Sequence, residues 1–148
     1  MTPKELLNIV KEGESETVEF KSNFNNETII TLCAFANTKG GMVIIGVSDS
    51  GDIKGVLINQ ESVKNWINEI KLKTEPSIIP DAQTFTLNNK TVIALSVHEF
   101  PIKPISVRGR FYACKNNSNH LLRLDEINDF ITFHYKHHGI VTITKVLV

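Results

Sequence analysis

The sequence has few of the features that mark secreted or membrane-spanning proteins. It contains two cysteines, Cys33 and Cys114, too few for a disulfide framework or a CxxC zinc knuckle, which fits a reducing compartment. Its longest apolar runs fall well short of the ~18 residues needed to cross a bilayer, and its N-terminus has no apolar signal-peptide core. We therefore expect a cytoplasmic protein with no membrane partner.

The sequence also lacks net charge, because 16 basic residues balance 16 acidic ones. This excludes a general attraction of the whole molecule to nucleic acid. The charges are nevertheless unevenly distributed. Residues 1–52 carry four lysines against eight acidic residues, whereas residues 90–123 carry six basic residues against Glu99 alone. Two interpretations stay open: the acidic and basic segments meet across a cleft, or they are two ordinary solvated faces.

The 148 residues are enough for one domain with a sizeable core, and 41% of them are hydrophobic. Apolar residues at helical spacing predict helices at about 3–12, 26–39, 60–73 and 124–135. Strands are predicted between them, including a hairpin that turns at Asn88-Asn89. We predict an α+β fold with a mixed, mostly antiparallel β-sheet and flanking helices.

The domain is predicted to cover residues 1–138. The last ten residues, 139–148, are largely β-branched and alternate, which predicts a terminal strand or tail with an edge open to a partner. A protein–protein interaction or oligomerisation domain is therefore one possible function.

Three carboxylates lie beside predicted strands. Glu14 and Glu19 precede and enter the first predicted strand, and Asp49 follows the second. If these strands are neighbours, the three side chains converge. Three carboxylates without a nearby histidine or thiolate favour Mg²⁺ or Mn²⁺, and such a site suits metal-assisted phosphodiester hydrolysis. The alternative is a solvated acidic stretch with Lys21 as its ion-pair partner.

A predicted hairpin that turns at Gly109 interleaves basic and aromatic residues. They are Arg108, Arg110, Phe111, Tyr112 and Lys115. This combination serves single-stranded nucleic acid, since bases stack on the rings and phosphates pair with the cations. An ordinary half-buried hairpin has the same composition, so both interpretations stay open.

The segment from Asn37 to Gly41 has the composition of a phosphate-binding loop but the wrong context. Its glycines follow a predicted helix and precede a strand, whereas a phosphate loop precedes a helix N-terminus. A helix C-cap is therefore predicted, and Lys39 in the last turn suits the negative end of the helix.

Three segments in fixed order resemble the Schlafen Alba-like domain, which is often found at the front of bacterial transcriptional regulators and divergent ATPases. They are Glu14–Lys21, Ala34–Gly41 and Ile44–Asp49. The hairpin and last helix also match, so the resemblance covers about residues 3–133. It implies the fold of that family and nucleic-acid binding, with DNA or RNA as partner and no cofactor required.

The resemblance also implies an alternative function. In eukaryotic Schlafen proteins a related domain cleaves structured RNA with three carboxylates, which by motif position fall on Glu14, Glu19 and Asp49. These residues would then be the catalytic and metal-binding set of an Mg²⁺- or Mn²⁺-dependent endoribonuclease. Because the eukaryotic enzymes embrace RNA with two lobes, a single copy would act as a homodimer. The predicted nucleic-acid contacts are Lys21, Lys39, Arg108, Arg110, Tyr112 and Lys115.

Overall fold

The computed structural model describes residues 1–137, so the predicted terminal segment 139–148 lies outside the described residues. The helices are α1 (Pro3–Glu12), α2 (Asn26–Ala36), α3 (Ser62–Lys73) and α4 (Leu124–His137). The strands are β1 (Val18–Lys21), β2 (Gly41–Ile45), β3 (Thr74–Glu75), β4 (Asp81–Leu87), β5 (Lys90–Val97), β6 (Ser106–Val107), β7 (Arg110–Lys115) and β8 (Ser118–Leu121). Within residues 1–137, no helix has the length and apolar character of a membrane span.

The strands form two four-stranded sheets. Sheet 1 has the order β1-β2-β5-β4, with β1 and β2 parallel and the other pairs antiparallel. Sheet 2 has the order β3-β6-β7-β8 and is antiparallel throughout. The predicted α+β class with mostly antiparallel strands is therefore confirmed, with the strands divided between two sheets.

Helix α2 lies between the two sheets. It contacts β2 and β5 on one side and β6, β7 and β8 on the other, and eight of its 11 residues are buried. Its start is fixed by Asn25, whose Oδ1 accepts hydrogen bonds from the backbone N–H groups of Glu27 and Thr28. Burial on both sides explains why the sequence of α2 is apolar almost all round.

Sheet 1 separates the apolar core into two clusters, because alternate residues of a strand point to opposite faces. In β2, Val43 and Ile45 pack in the cluster that contains residues of α2 and α3, such as Ile70. Ile44 instead packs with Leu6 of α1. Helix α1 therefore covers the face of sheet 1 opposite to α2.

Three hairpins are closed by two-residue turns with positive φ at both positions, as in type I′ turns. Asn88-Asn89 joins β4 to β5 as predicted, with φ of 51° and 61°. Asn116-Asn117 joins β7 to β8 with the same angles, and Arg108-Gly109 joins β6 to β7 with φ of 49° and 78°. Asparagine and glycine accept this backbone readily, whereas arginine does so at a cost.

Candidate nucleic-acid interface

A cavity of about 370 Å³ opens beside the β6–β7 hairpin, which we call the arginine hairpin (residues 106–115). The cavity, called the arginine cavity below, lies between the first turns of α2, the end of α3 and this hairpin. Its lining residues are Asn26, Ile30, Lys73, Val107, Arg108, Arg110 and Tyr112. Three of these carry positive charge and none carries negative charge, so the cavity is suited to an anion.

Arg108 and Arg110 supply the available positive charge of the arginine cavity. Both are exposed, and within residues 1–137 neither forms an ion pair with a carboxylate. Arg110 and Tyr112 are alternate residues of β7 and so share a face, while Arg108 stands in the turn. A planar guanidinium can hold a phosphate through two parallel hydrogen bonds, which an ammonium cannot do.

Lys73 connects the three elements that surround the cavity. Its Nζ donates to Glu69 Oε1 at 2.7 Å and to Asn26 Oδ1 at 2.9 Å, and its carbonyl accepts the Arg108 backbone N–H at 3.1 Å. No sequence pattern identified Lys73 or Asn26 as residues of this cavity. The one sequence signal at Lys73, a basic residue in a last helical turn, is explained by the helix dipole alone.

The three predicted lysine contacts are already paired with glutamates. The pairs are Lys21–Glu19 at 3.5 Å, Lys39–Glu16 at 2.8 Å and Lys115–Glu126 at 3.2 Å. Lys39 and Lys115 also lie near the C-terminal end of α2 and do not line the arginine cavity, whereas Asn26 and Ile30 of the first turns of α2 do. The structure thus brings together Arg108, Arg110 and Tyr112 but not the lysines.

Glu126 has several hydrogen-bond partners besides Lys115. Its oxygens accept hydrogen bonds from the backbone N–H of Arg123 and from Lys115, and they contact His120 Nε2 at 2.9 Å. These partners, the Arg123 N–H foremost, lower the pKa of Glu126 to about 2. The carboxylate therefore stays ionised near neutral pH and competes with any phosphate for Lys115.

The three predicted acidic residues lie on neighbouring segments, because β1 pairs directly with β2. Burial raises the pKa of Glu19, the negative charges of Glu14 and Asp49 raise it further, and Lys21 opposes the shift. Glu14 Oε1 accepts the backbone N–H of Phe20 at 2.9 Å. Among residues 1–137, however, no group of three or more His, Cys, Asp or Glu side chains is arranged to hold a metal ion. The residues as placed do not fit a metal centre.

The raised pKa of Glu19 leads to a prediction about the folding stability of the protein. A carboxylate whose pKa is higher in the folded state destabilises the fold when ionised, and folding stability rises as the pH falls through that pKa. Glu19→Gln is therefore expected to increase the free energy of unfolding near neutral pH, with the gain shrinking as the pH approaches 4.5. Urea unfolding at several pH values measures this.

A matched substitution at the exposed Glu75 serves as control for the Glu19 experiment, since it removes one carboxylate from the surface. Glu75→Gln should leave stability nearly unchanged at every pH. A Glu19→Gln protein less stable than wild type near neutral pH would contradict the prediction. It would mean that the ion pair with Lys21, at 3.5 Å, stabilises the fold by more than burial and repulsion from neighbouring carboxylates destabilise it.

Neither cysteine is suited to nucleophilic chemistry. Burial raises the pKa of Cys33 to about 12, and its Sγ donates to the Ile105 carbonyl. Burial also raises the pKa of Cys114, with Glu16 and Glu19 adding to the shift. Because the thiolate is the reactive form, both thiols are unreactive near neutral pH.

The Asn37–Gly41 segment lies at the junction of α2 and β2, as predicted, but α2 ends at Ala36, so the placement of Lys39 in its last turn was wrong. The segment fastens the arginine hairpin to α2. The Asn37 side-chain amide donates to the carbonyls of Ile105 and Tyr112, both at 2.9 Å, and its Oδ1 accepts the Ile105 N–H at 2.7 Å. Thr38 Oγ1 accepts the backbone N–H of Cys114 at 3.0 Å. These polar side chains therefore position sheet 2 instead of facing a ligand.

Comparison with known proteins identifies relatives of this fold. The family described as Schlafen, AlbA_2 matches residues 14–123. The crystal structure of the DIP2311 protein from Corynebacterium diphtheriae is similar over 79% of this chain, with 20% identity and a TM-score of 0.61, and this chain spans 24% of that protein. The solution structure of the N-terminal domain of an ATP-dependent DNA helicase RecG-related protein from Nitrosomonas europaea is similar over 84% of this chain and 89% of that domain, with 18% identity and a TM-score of 0.58.

Proposed function

The chain belongs to the Schlafen, AlbA_2 family, and from this premise we propose that it binds DNA or RNA through the arginine cavity. Arg108 and Arg110 contact phosphates, and Tyr112 lies beside them to receive a base. The similar domain from Nitrosomonas europaea belongs to a protein described as DNA helicase RecG-related, which supports a nucleic-acid partner. No cofactor is needed for this binding.

The observation that carries the proposal is the concentration of available positive charge at one cavity. The protein has no net charge, so the attraction to phosphate must be local. Lys21, Lys39 and Lys115 are engaged by glutamates, whereas Arg108 and Arg110 are not paired with any carboxylate among the described residues. Among the predicted contacts, the two arginines are therefore the cations that a phosphate can bind without displacing a carboxylate.

The backbone of Arg108 also supports a functional role. Its φ of 49° lies in the left-handed region, where asparagine or glycine is preferred at this turn position. A non-glycine residue held in this region costs about 1 kcal/mol or more. An arginine kept at such a position points to a use for its side chain.

Removing both guanidinium groups tests the proposal. We expect Arg108→Asn/Arg110→Thr to weaken binding of single-stranded DNA or RNA by at least about a hundredfold, since two charge-assisted contacts worth roughly 1.5–3 kcal/mol each are lost. The slope of log affinity against log salt concentration should fall by about 1.4, or 0.7 for each lost phosphate contact. Fluorescence anisotropy with labelled oligonucleotides, repeated over a series of salt concentrations, measures both quantities.

The double variant is designed to fold, because asparagine suits the turn and threonine suits a strand. Lys4→Ala is the matched control: it removes an exposed positive charge from α1, on the opposite face of sheet 1, and should leave affinity and salt slope unchanged. Equal binding by wild type and the double variant, or no binding of any oligonucleotide at low salt, would refute the proposal.

A metal-dependent endoribonuclease is the second candidate function. The raised pKa of Glu19 beside Glu14 and Asp49 favours it, because perturbed carboxylates mark many active sites. The side chains of residues 1–137 do not form a metal site. A homodimer or interaction domain built on residues 139–148 remains a prediction that concerns residues outside those described.

A further inference from the structure

We infer that the arginine cavity takes one unpaired nucleotide, so that single-stranded nucleic acid is preferred over duplex. This inference rests on the proposed function and specifies its ligand. The cavity, at about 370 Å³, lies near the lower end of the ~300–1,000 Å³ range of small-molecule sites. That size suits a single nucleotide and is far too small for a base-paired helix.

The lining of the cavity has two parts with different chemistry. Arg108, Arg110 and Lys73 form a cationic part, and Ile30, Val107 and Tyr112 form an apolar part beside it. A nucleotide has the same two parts, an anionic phosphate and a flat base. A phosphate of an intact duplex would use the cationic part alone, since the faces of paired bases are covered by their neighbours in the stack.

The apolar part is rigid enough to receive a base. Val107 is buried in the main core cluster, and Tyr112 packs against that cluster with its backbone carbonyl held by the Asn37 amide at 2.9 Å. A preformed wall lowers the ordering cost of binding. Stacking on an aromatic ring also tolerates any base, because every base presents a π-face.

The start of α2 contributes a side chain to the arginine cavity, but its backbone N–H groups do not form an anion site. The Glu27 and Thr28 backbone N–H groups are already bonded to the Asn25 side chain, so they are not free to bind an anion. Asn26 instead lines the cavity with its amide, whose Oδ1 accepts from Lys73. Asn26 thus joins the predicted residues as a contact of the same nucleotide, while Lys73, which is ion-paired with Glu69, holds the Asn26 side chain in place.

The test compares a labelled oligothymidylate with a duplex of equal length at one salt concentration. Charge density alone favours the duplex, so electrostatics and insertion of a nucleotide predict opposite orders of affinity. Wild type is expected to bind the single strand at least tenfold more tightly. Ile30→Trp fills the cavity from α2 without changing charge, and it should reduce single-strand affinity about tenfold while leaving duplex affinity unchanged.

Tyr112→Leu provides a second variant that keeps an apolar side chain and removes the ring. It should weaken single-strand binding in the same selective way, with the fold checked by circular dichroism. Equal wild-type affinity for the two probes, or an equal loss for both probes in the variants, would overturn the inference while leaving phosphate binding intact. Failure of both probes to bind wild type would instead remove the proposed function itself.

Discussion

Replacing Asn37 by alanine is expected to lower the free energy of unfolding by about 3–4 kcal/mol, since it removes three hydrogen bonds to backbone groups and takes away the side-chain partner of the buried Ile105 N–H. Asn37 is 2% exposed. Its side chain bonds both the N–H and the C=O of Ile105 and also the C=O of Tyr112, much as a neighbouring strand would. Urea unfolding followed by circular dichroism measures the loss.

Two further variants sharpen the Asn37 experiment. Asn37→Asp keeps an acceptor for the Ile105 N–H but presents a buried carboxylate to two carbonyl oxygens, so it should be at least as destabilising. Asn8→Ala, at an exposed position of α1, should change stability by less than about 0.5 kcal/mol. If the free energy of unfolding of Asn37→Ala lay within about 1 kcal/mol of wild type, the Asn37 amide would not be what holds sheet 2 against α2.

Replacing Gly40 by alanine is expected to destabilise the fold by about 3 kcal/mol or more, because two costs add together. Its φ of 76° disfavours any side chain, and a Cβ there would lie 2.8 Å from the Val97 carbonyl oxygen and 2.9 Å from the Glu99 nitrogen. Both atoms belong to the backbone, so neither can rotate away. The same unfolding measurement applies.

Gly109→Ala separates the two costs. Gly109 has nearly the same φ, 78°, yet a Cβ there would meet no atom within 4 Å. It should therefore cost only the backbone term, about 1–2 kcal/mol. Equal losses at the two glycines would show that the close approach of β5 to the start of β2 contributes nothing.

Local features of the sequence predicted much of the fold. Apolar residues at helical spacing predicted α2, and the Asn88-Asn89 pair predicted the β4–β5 hairpin. The Asn116-Asn117 pair carries the same signal and closes the β7–β8 hairpin. These features were readable because helix periodicity and turn geometry depend on residues close together in the chain.

Which distant strands pair with each other could not be predicted from local sequence patterns. The division of the strands into two sheets depends on β3 pairing with β6, across about thirty residues of chain that include β4 and β5. The cavity likewise combines Asn26, Lys73 and Arg108, which no local pattern connects. The pairing of Lys39 and Lys115 with glutamates also follows from tertiary packing, which no local sequence pattern predicts.

The position of α2 between the sheets makes the domain indivisible. A helix of 11 residues does not persist alone in water, so α2 depends on the cover that both sheets provide. Strands β6, β7 and β8 depend on α2 in turn, because they pack on it from the other side. We therefore expect that the arginine hairpin would not keep its conformation as an isolated peptide, because it packs on a helix some seventy residues earlier in the chain.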